Sequence, residues 1–279
     1  MKTYRSLTAE QKRILREKRL EMNRPIGPLL EFLRPLAACD STADKVRTKL
    51  GCTFGIALVV LIAAIFFFAK PWTLTGIIVV SAIALVMLGS FFMWRWTSGI
   101  DVSNNFRQFT IPVLTVLRDD FAPDQPVHLV VDLTSPTTDA KKTGEGAPFK
   151  HGAYHRVVDT TYVDPWMSFG GMLVDGTKLS WKVEDKIRER KKTKRNARGK
   201  TKTKTKYKKK SEIDVSVAMR KKTYALGETQ GEISSDDKRH VVKLEREVIT
   251  ASLDPIDPRA LLDLVAQVYR TARPAKESA

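Results

Sequence analysis

The chain has 279 residues and a formal net charge of +17 at pH 7, and this length allows one or two modest domains. Its two cysteines, Cys39 and Cys52, exclude a disulfide framework and a cysteine-based metal cluster, and they are typical of a reducing compartment. The positive charge is concentrated in residues 186–210, which hold fifteen Lys or Arg and one acid, Glu189, so the rest of the chain is nearly balanced.

The first segment, residues 1–49, is predicted to be helical and cytoplasmic. Thr8-Ala-Glu-Gln11 matches a capping box, which predicts a helix that continues to about Asn23. Residues 28–36 place leucines and a phenylalanine on one side of a short amphipathic piece. Beside a membrane span, such a piece fits either a position in the membrane interface or ordinary packing against the soluble domain, and both interpretations stay open.

Two uncharged apolar runs follow at residues 50–69 and 72–94, and each has the roughly 20 residues that a bilayer span needs. They predict that residues 50–96 form a transmembrane helical hairpin with a very short turn at Lys70-Pro71. Gly51-x-x-x-Gly55 matches a helix-packing motif, so formation of a homo-oligomer through this face stays open.

The charges around the two runs predict how the hairpin crosses the membrane. Lys45, Arg47 and Lys49 precede the first apolar run, and Arg95 and Arg107 follow the second, whereas the turn between the runs offers only Lys70. The positive-inside rule then places both termini in the cytoplasm. We therefore expect an integral protein of an inner or plasma membrane.

The remaining residues, 97–279, predict a cytoplasmic antiparallel β-sheet domain with flanking helices. The whole chain is then a membrane-anchored α+β protein, with a two-helix transmembrane hairpin and a long basic β-hairpin. Besides the central hairpins, the predicted elements are a helix over 102–119, a strand over 127–133, a loop over 135–152, a strand over 240–249 and a final helix capped by Asp257-Pro258, with an apolar stripe of Leu261, Leu262, Val265, Val268 and Tyr269.

The turn sequence Asp175-Gly176 predicts the first central hairpin. It is typical of a two-residue loop, which pairs Val174 with Thr177 and Met172 with Leu179. One face of this hairpin then carries large apolar side chains and is predicted to face the core: Trp166, Met172, Val174, Leu179, Trp181 and Val183.

The turn sequence Asn196-Ala-Arg-Gly199 predicts the second hairpin. It is typical of a three-residue loop with a left-handed glycine, and it pairs Trp181 with Val215 on the same predicted core face. Beyond Ile187 that face loses its apolar residues, so residues 186–210 are predicted to project as a free basic ribbon.

The predicted register collects eleven cations on one face of this ribbon. We predict that they bind anionic phosphate: Lys186, Arg188, Arg190, Lys192, Lys194, Lys200, Lys202, Lys204, Lys206, Lys208 and Lys210. So many like charges destabilise an isolated ribbon unless an anionic partner screens them. A lysine-guarded sheet edge and a mobile tip are two simpler interpretations.

Motifs for catalysis or cofactor binding are missing from the sequence. Gly199-Lys200-Thr201 lacks the earlier glycine of a phosphate-binding loop, and His151 and His155 have helical metal-ligand spacing in a segment that does not predict a helix. Four aspartates have no Ser or His partner in a catalytic pattern: Asp132, Asp159, Asp164 and Asp175. We therefore expect no enzyme activity, no cofactor and no metal.

The sequence thus favours a membrane-anchored binding protein whose basic ribbon contacts anionic lipid headgroups. Two alternatives stay open. One is a structural subunit of a membrane assembly that binds an acidic protein, and the other is nucleic-acid or ribosome binding from the membrane. Only Tyr207 lies near the cations as a stacking aromatic, which disfavours base recognition.

Overall fold

The computed structural model describes residues 2–68, 73–196, 199–227 and 231–275. The predicted turn at Lys70-Pro71, with the adjoining Ala69 and Trp72, and the loop residues Ala197-Arg198 lie outside the described residues. The described part is α+β, with two long apolar helices followed by an antiparallel sheet, as predicted. It divides into two compact units, one made of Met1–Glu17 and Pro35–Val102 and the other of Lys18–Arg34 and Ser103–Ala279.

The helices are, in chain order, α1 (Lys2–Arg5), α2 (Ala9–Glu17), α3 (Ile26–Phe68), α4 (Leu74–Gly99), α5 (Ile111–Val116) and α6 (Arg259–Thr271). A π-helical turn, Phe106–Thr110, precedes α5, and 3-10 turns lie at Arg118–Asp120 and Asp139–Lys141. The helical region predicted over 102–119 is therefore confirmed, and Phe106, Phe109 and Leu114 are buried as their spacing predicts.

The strands are β1 (Arg19–Pro25), β2 (Pro126–Asp132), β3 (Lys142–Glu145), β4 (Phe149–His151), β5 (Tyr154–Met172), β6 (Lys178–Arg195), β7 (Thr201–Arg220), β8 (Tyr224–Leu226), β9 (Glu232–Ser235), β10 (Arg239–Thr250) and β11 (Ala272–Pro274). The main sheet has the order β1-β2-β5-β6-β7-β10-β9, with β3 and β4 also paired to β5, while β8 pairs with β11. The predicted loop over 135–152 thus contains two strands, because their backbones complete an edge of the long strand β5.

The capping box at the start of α2 forms as predicted. The backbone N–H of Thr8 donates to Gln11 Oε1 at 2.9 Å, and the backbone N–H of Gln11 donates to Thr8 Oγ1 at 3.2 Å. The helix ends at Glu17, however, and not near Asn23, because Lys18 has a left-handed backbone with φ 54°. The chain then enters β1 at the edge of the sheet.

Helices α3 and α4 are long and apolar enough to cross a bilayer. Helix α3 is continuous from Ile26, so residues 28–36 are its first turns and not a separate piece. Leu29, Leu30 and Leu33 of these turns are buried, which favours ordinary packing over a position in the membrane interface. The two compact units have their boundaries after Glu17, Arg34 and Val102, and the segments predicted from the sequence end at residues 49 and 96.

The glycine motif of α3 has no packing partner within the part of the chain that the structure describes. A Cβ placed on Gly51 or Gly55 would meet no atom within 4 Å. In the most apolar 18-residue window of the same helix no residue is buried. This surface therefore differs from that of a core helix in a soluble protein, whose apolar side chains are covered.

The core of the sheet unit lies where helical residues meet one face of the sheet. Phe109 packs edge-on against Trp166, with ring centroids 5.4 Å apart. The apolar stripe of α6 forms nearly as predicted, except that Leu264 is buried while Leu262 and Tyr269 are only half-buried. Asp257 Oδ1 accepts a hydrogen bond from the Arg259 N–H at 2.9 Å, so it caps this helix.

The register predicted for β6 and β7 is confirmed. Trp181 pairs with Val215 and both are buried on the core face. At the turn, the backbone N–H of Asn196 donates to the Lys200 carbonyl at 3.0 Å, and Gly199 has the expected left-handed backbone with φ 76°. The single turn therefore sets the register, and the alternation of side chains then assigns every residue of the two strands to a face.

The register predicted for β5 and β6 is wrong by one residue. Their loop has three residues and not two, with Gly176 left-handed at φ 79°, so Val174 lies in the loop and is exposed. Phe169 therefore stands opposite Trp181, and their rings stack with centroids 4.0 Å apart. A second shift follows where Trp166 forms a bulge in β5.

Candidate anion-binding surface

Strands β6 and β7 bring the predicted cations together as cross-strand pairs. Directly opposed residues of an antiparallel pair share one face of the sheet. The register pairs Lys186 with Lys210, Arg188 with Lys208, Arg190 with Lys206, Lys192 with Lys204 and Lys194 with Lys202. We call the surface formed by these residues and Lys200 the cation face.

The cation face is not a free two-stranded ribbon, which corrects the prediction from the sequence. Strand β5 is 19 residues long and continues beside β6 as far as the pair of Arg156 with Thr193. Strand β4 in turn pairs with β5 through Phe149 and Val157. Three or more strands therefore support most of the surface, and within the described residues only the tip beyond Thr193 is two-stranded.

Three of the cations are neutralised by acids of the sheet. Arg190 forms a bidentate ion pair with Asp159, with Nε–Oδ1 at 2.7 Å and Nη2–Oδ2 at 2.5 Å, and this pair lowers the pKa of Asp159. Lys186 Nζ lies 2.6 Å from Glu212 Oε2, and Lys210 Nζ lies 3.1 Å from Glu212 Oε1. The two lysines, Lys186 above all, lower the pKa of Glu212.

The other eight cations form no ion pair with any acid among the described residues. All but Lys192, which is half-buried, are exposed: Arg188, Lys192, Lys194, Lys200, Lys202, Lys204, Lys206 and Lys208. Their mutual repulsion raises the free energy of the folded sheet, and a bound anion relieves it. This surplus of charge is what the surface offers to a ligand.

Two aromatic rings that sequence reasoning missed lie beside residues of the cation face. The guanidinium of Arg190 is 5.8 Å from the centre of the Phe149 ring. The Nζ atoms of Lys192 and Lys194 are 5.4 Å and 5.9 Å from the centre of the Tyr154 ring. Phe149 comes from the segment predicted as a loop, so only the pairing of β4 with β5 reveals that it borders the cation face.

Tyr207, the aromatic residue that the sequence singles out, lies on the opposite face. It stands across from Glu189 and is half-buried, and burial raises the pKa of its hydroxyl group. Glu189 itself accepts a hydrogen bond from Tyr162 at 3.0 Å. Tyr207 therefore belongs to the packing of the sheet and does not add a ring to the cation face.

That opposite face also carries a polar group, the root cluster, which is buried except for the half-buried Asp132 and is formed by Asp132, Lys141, Asp164, Asp185, Lys209 and Ser211. Lys141 Nζ lies 3.0 Å from Asp132 Oδ2 and 2.8 Å from Asp164 Oδ1. Asp164 stands directly opposite Asp185 on β6. Burial raises the pKa of Asp164 to about 6, although the Lys141 ammonium acts in the other direction.

Lys209 completes the root cluster from β7. Its Nζ lies 3.6 Å from Asp185 Oδ2 and also donates to the backbone carbonyl of Asp254. Ser211 Oγ donates to Asp185 Oδ1 at 2.6 Å. Lys209 and Asp185 are both fully buried, so these charges hold β6 and β7 together and present nothing to a ligand.

The remaining aspartate singled out in the sequence, Asp175, has partners within the protein. Asp175 Oδ2 accepts hydrogen bonds from the hydroxyls of Tyr224 at 2.8 Å and Tyr269 at 3.2 Å. His151 lies in β4 and His155 in β5, so the helical spacing of metal ligands does not apply to them.

Three carboxylates of the helical unit, those of Asp40, Asp44 and Asp101, have oxygens within 4.8 Å of one another. Arg47 already provides them with a positive charge, because its Nη2 lies 2.8 Å from Asp101 Oδ1 and 3.7 Å from Asp44 Oδ1. These contacts form a structural ion-pair network in which Arg47 pairs with two of the three carboxylates.

Comparison with protein-family models, with curated protein sequences and with solved structures found no match to this chain. The function proposed below is therefore inferred from the residues of the chain itself.

Proposed function

We propose that the chain is a membrane-anchored, non-enzymatic protein whose cation face binds anionic phosphate groups, such as those of lipid headgroups. The observation that carries this proposal is the set of eight cations that form no ion pair within the described residues, on one face of a supported sheet. Near an anionic leaflet each Lys or Arg gains about 1 kcal/mol. Several such side chains together give a salt-sensitive attachment without a shaped pocket.

Helices α3 and α4 are the proposed anchor, a hairpin of two spans that leaves both termini in the cytoplasm. The pairing of β1 with β2 supports this topology, because Arg19–Pro25 precedes the two helices and Pro126–Asp132 follows them. Both strands belong to one sheet, so the chain has to cross a bilayer an even number of times between them. The anchor also raises the effective concentration of the cation face at the membrane.

Single-stranded nucleic acid is the second candidate ligand. The observation that favours it is the position of the Phe149 and Tyr154 rings beside the cations. Bases stack on aromatic rings while lysines contact the backbone phosphates, and this surface offers both groups. Such binding would not discriminate strongly between sequences, because phosphate contact carries no sequence information.

The test uses the full chain in nanodiscs of neutral lipid, mixed with neutral or anionic vesicles and separated by flotation at increasing salt. We expect binding to anionic vesicles that weakens with salt. Replacement of Lys204, Lys206 and Lys208 by Ser should weaken it about 100-fold, since three cations are lost. The control variant replaces three lysines that are not part of the cation face, Lys221, Lys222 and Lys238, by Ser. Equal loss of binding in this variant would show that only net charge matters.

Competition identifies the source of the phosphate. Single-stranded RNA that displaces the vesicles at low concentration would favour nucleic acid as the ligand. Absence of salt-sensitive binding to both vesicles and RNA would exclude the proposed function and would direct the search to an acidic protein partner.

A further inference from the structure

One border of the cation face carries an exposed phenylalanine. Phe149 on β4 pairs with Val157 on β5, Val157 pairs with Lys192 on β6, and Lys192 pairs with Lys204 on β7. These four residues form one row across the sheet, with their side chains on the same face. Phe149 is 41% exposed as a residue, although Val157 next to it is fully buried.

The other border carries an exposed isoleucine. Ile249 on β10 pairs with Lys210 on β7, and Lys210 pairs with Lys186 on β6. Ile249 is therefore on the same face as the cations, and its residue is 59% exposed. Exposed apolar side chains thus border the cation face on both sides, one near its tip and one near its root.

The ring of Phe149 lies beside a cation that an acid of the sheet already neutralises. Arg190 lies against the ring, and its charge is neutralised by the bidentate pair with Asp159. Arg190 therefore acts as a support for the ring, while the neighbouring unpaired lysines supply the charge. This arrangement separates an apolar contact from an electrostatic one within a single surface.

Exposed apolar residues beside a group of cations match the chemistry of a bilayer surface. Lys and Arg contact the headgroups there, and large apolar side chains enter the boundary between headgroups and acyl chains. A tyrosine such as Tyr154 suits the same boundary, because its ring is apolar and its hydroxyl is polar. Nucleic acid explains Phe149 but not Ile249, because an aliphatic side chain has no aromatic face on which a base can stack.

We propose that the cation face docks on an anionic bilayer as an amphipathic surface, with Phe149 and Ile249 inserted into the interface on either side of the unpaired cations. This inference rests on the proposed function and names the bilayer as its phosphate source. The electrostatic part of the binding is screened by salt, whereas the apolar part is not.

The experiment compares the full chain with the variants Phe149→Ser and Ile249→Ser, each in neutral nanodiscs that float with anionic vesicles. Each substitution should weaken binding about tenfold, because serine removes less apolar surface from water on insertion than phenylalanine or isoleucine does. The double variant should also lose the binding that the wild type retains at high salt. Val174→Ser is the matched control, because Val174 is 66% exposed but lies in a loop away from the cation face.

Insertion has a direct readout as well. In a Phe149→Trp variant, vesicles with brominated acyl chains should quench more fluorescence than they quench in the wild type. Thermal unfolding of every variant checks that the sheet remains folded. We expect that it does, because the substitutions are at exposed positions.

The outcomes separate the inference from the proposed function. If both serine variants bind as tightly as the wild type and the triple lysine variant does not bind, insertion is overturned but phosphate binding is kept. Preference for single-stranded RNA, reduced by Phe149→Ser and unaffected by Ile249→Ser, would overturn the bilayer in favour of nucleic acid. Failure of the wild type to bind either ligand would overturn both proposals.

Discussion

Lys208 and Lys209 are neighbours in the chain and carry the same ammonium group, yet their environments are opposite. Lys208 is exposed on the cation face, whereas Lys209 is buried and paired with Asp185 in the root cluster. Strand geometry produces the difference, because successive side chains point to opposite faces of a sheet. One run of lysines thus contains a charge that fastens two strands and other charges that remain unpaired.

The largest effect should come from removing the buried charge. Lys209→Met leaves the carboxylate of Asp185 without its ion-pair partner, and we expect a loss of about 3–5 kcal/mol in the free energy of unfolding. Urea unfolding of the full chain in micelles, followed by the fluorescence of buried tryptophans, measures it. Lys208→Met is the matched control and should unfold like the wild type. Equal behaviour of the two variants would contradict the distinction between the two lysines.

The second prediction concerns the pH dependence of the root cluster. The folded protein holds the proton of Asp164 more tightly than the unfolded chain does, because its folded pKa is raised to about 6. The contribution of Asp164 to stability is therefore fully present at low pH and is lost as the pH rises through 6, by up to about 3 kcal/mol.

Asp164→Asn should remove this loss, so that the variant gains stability over the wild type between pH 4 and pH 8. The difference between the two unfolding curves is the quantity to measure, because Asp159 and Glu212 have lowered pKa values and lose their contribution as the pH falls. Parallel curves over this range would show that Asp164 does not titrate there.

A smaller effect is expected where an acid meets the cation face. Asp159→Asn breaks the bidentate pair with Arg190, which is largely shielded from solvent, and should lower the free energy of unfolding by about 1 kcal/mol. The released guanidinium should also strengthen binding to anionic vesicles about fivefold. Weaker binding in this variant would mean that the support of Phe149 matters more than the added charge.

The smallest effect on stability should come from the unpaired lysines. The triple variant of Lys204, Lys206 and Lys208 to Ser removes repulsion and no ion pair, so its unfolding midpoint should equal or slightly exceed that of the wild type. Thermal unfolding checks this result. A marked loss of stability would show that these lysines have structural partners.

The sequence predicts the pairing of β6 with β7 because the information is local. The Asn196 turn and the alternation of side chains along both strands agree, and the eleven cations fall on one face as a result. The Asp175 turn misleads, since apolar residues occupy both alternating positions from Phe169 to Val174. The stacking of Phe169 on Trp181 selects the register there, and such a contact is not visible in a turn motif.

The support of the cation face was not predictable in the same way. Asp159 and Phe149 reach it only because β5 lies beside β6 and β4 lies beside β5, and these pairings depend on the whole sheet. The partner of Lys209 was not predictable for the same reason, although alternation alone places Lys209 on the face opposite to the cation face. Local patterns thus predict which face a charge occupies, whereas tertiary contacts decide whether it is neutralised.

The pairing of β1 with β2 has a consequence for the order in which the chain folds. Arg19 and its partner Asp132 are more than 100 residues apart, and both apolar helices are made between them. At a synthesis rate of about 5–20 residues per second, β1 waits roughly 5 to 20 s for its partner. During that time Leu20 and Met22, which are later buried, remain uncovered by the sheet. Closure of this edge is therefore a late step, which can follow only after both helices have been synthesised.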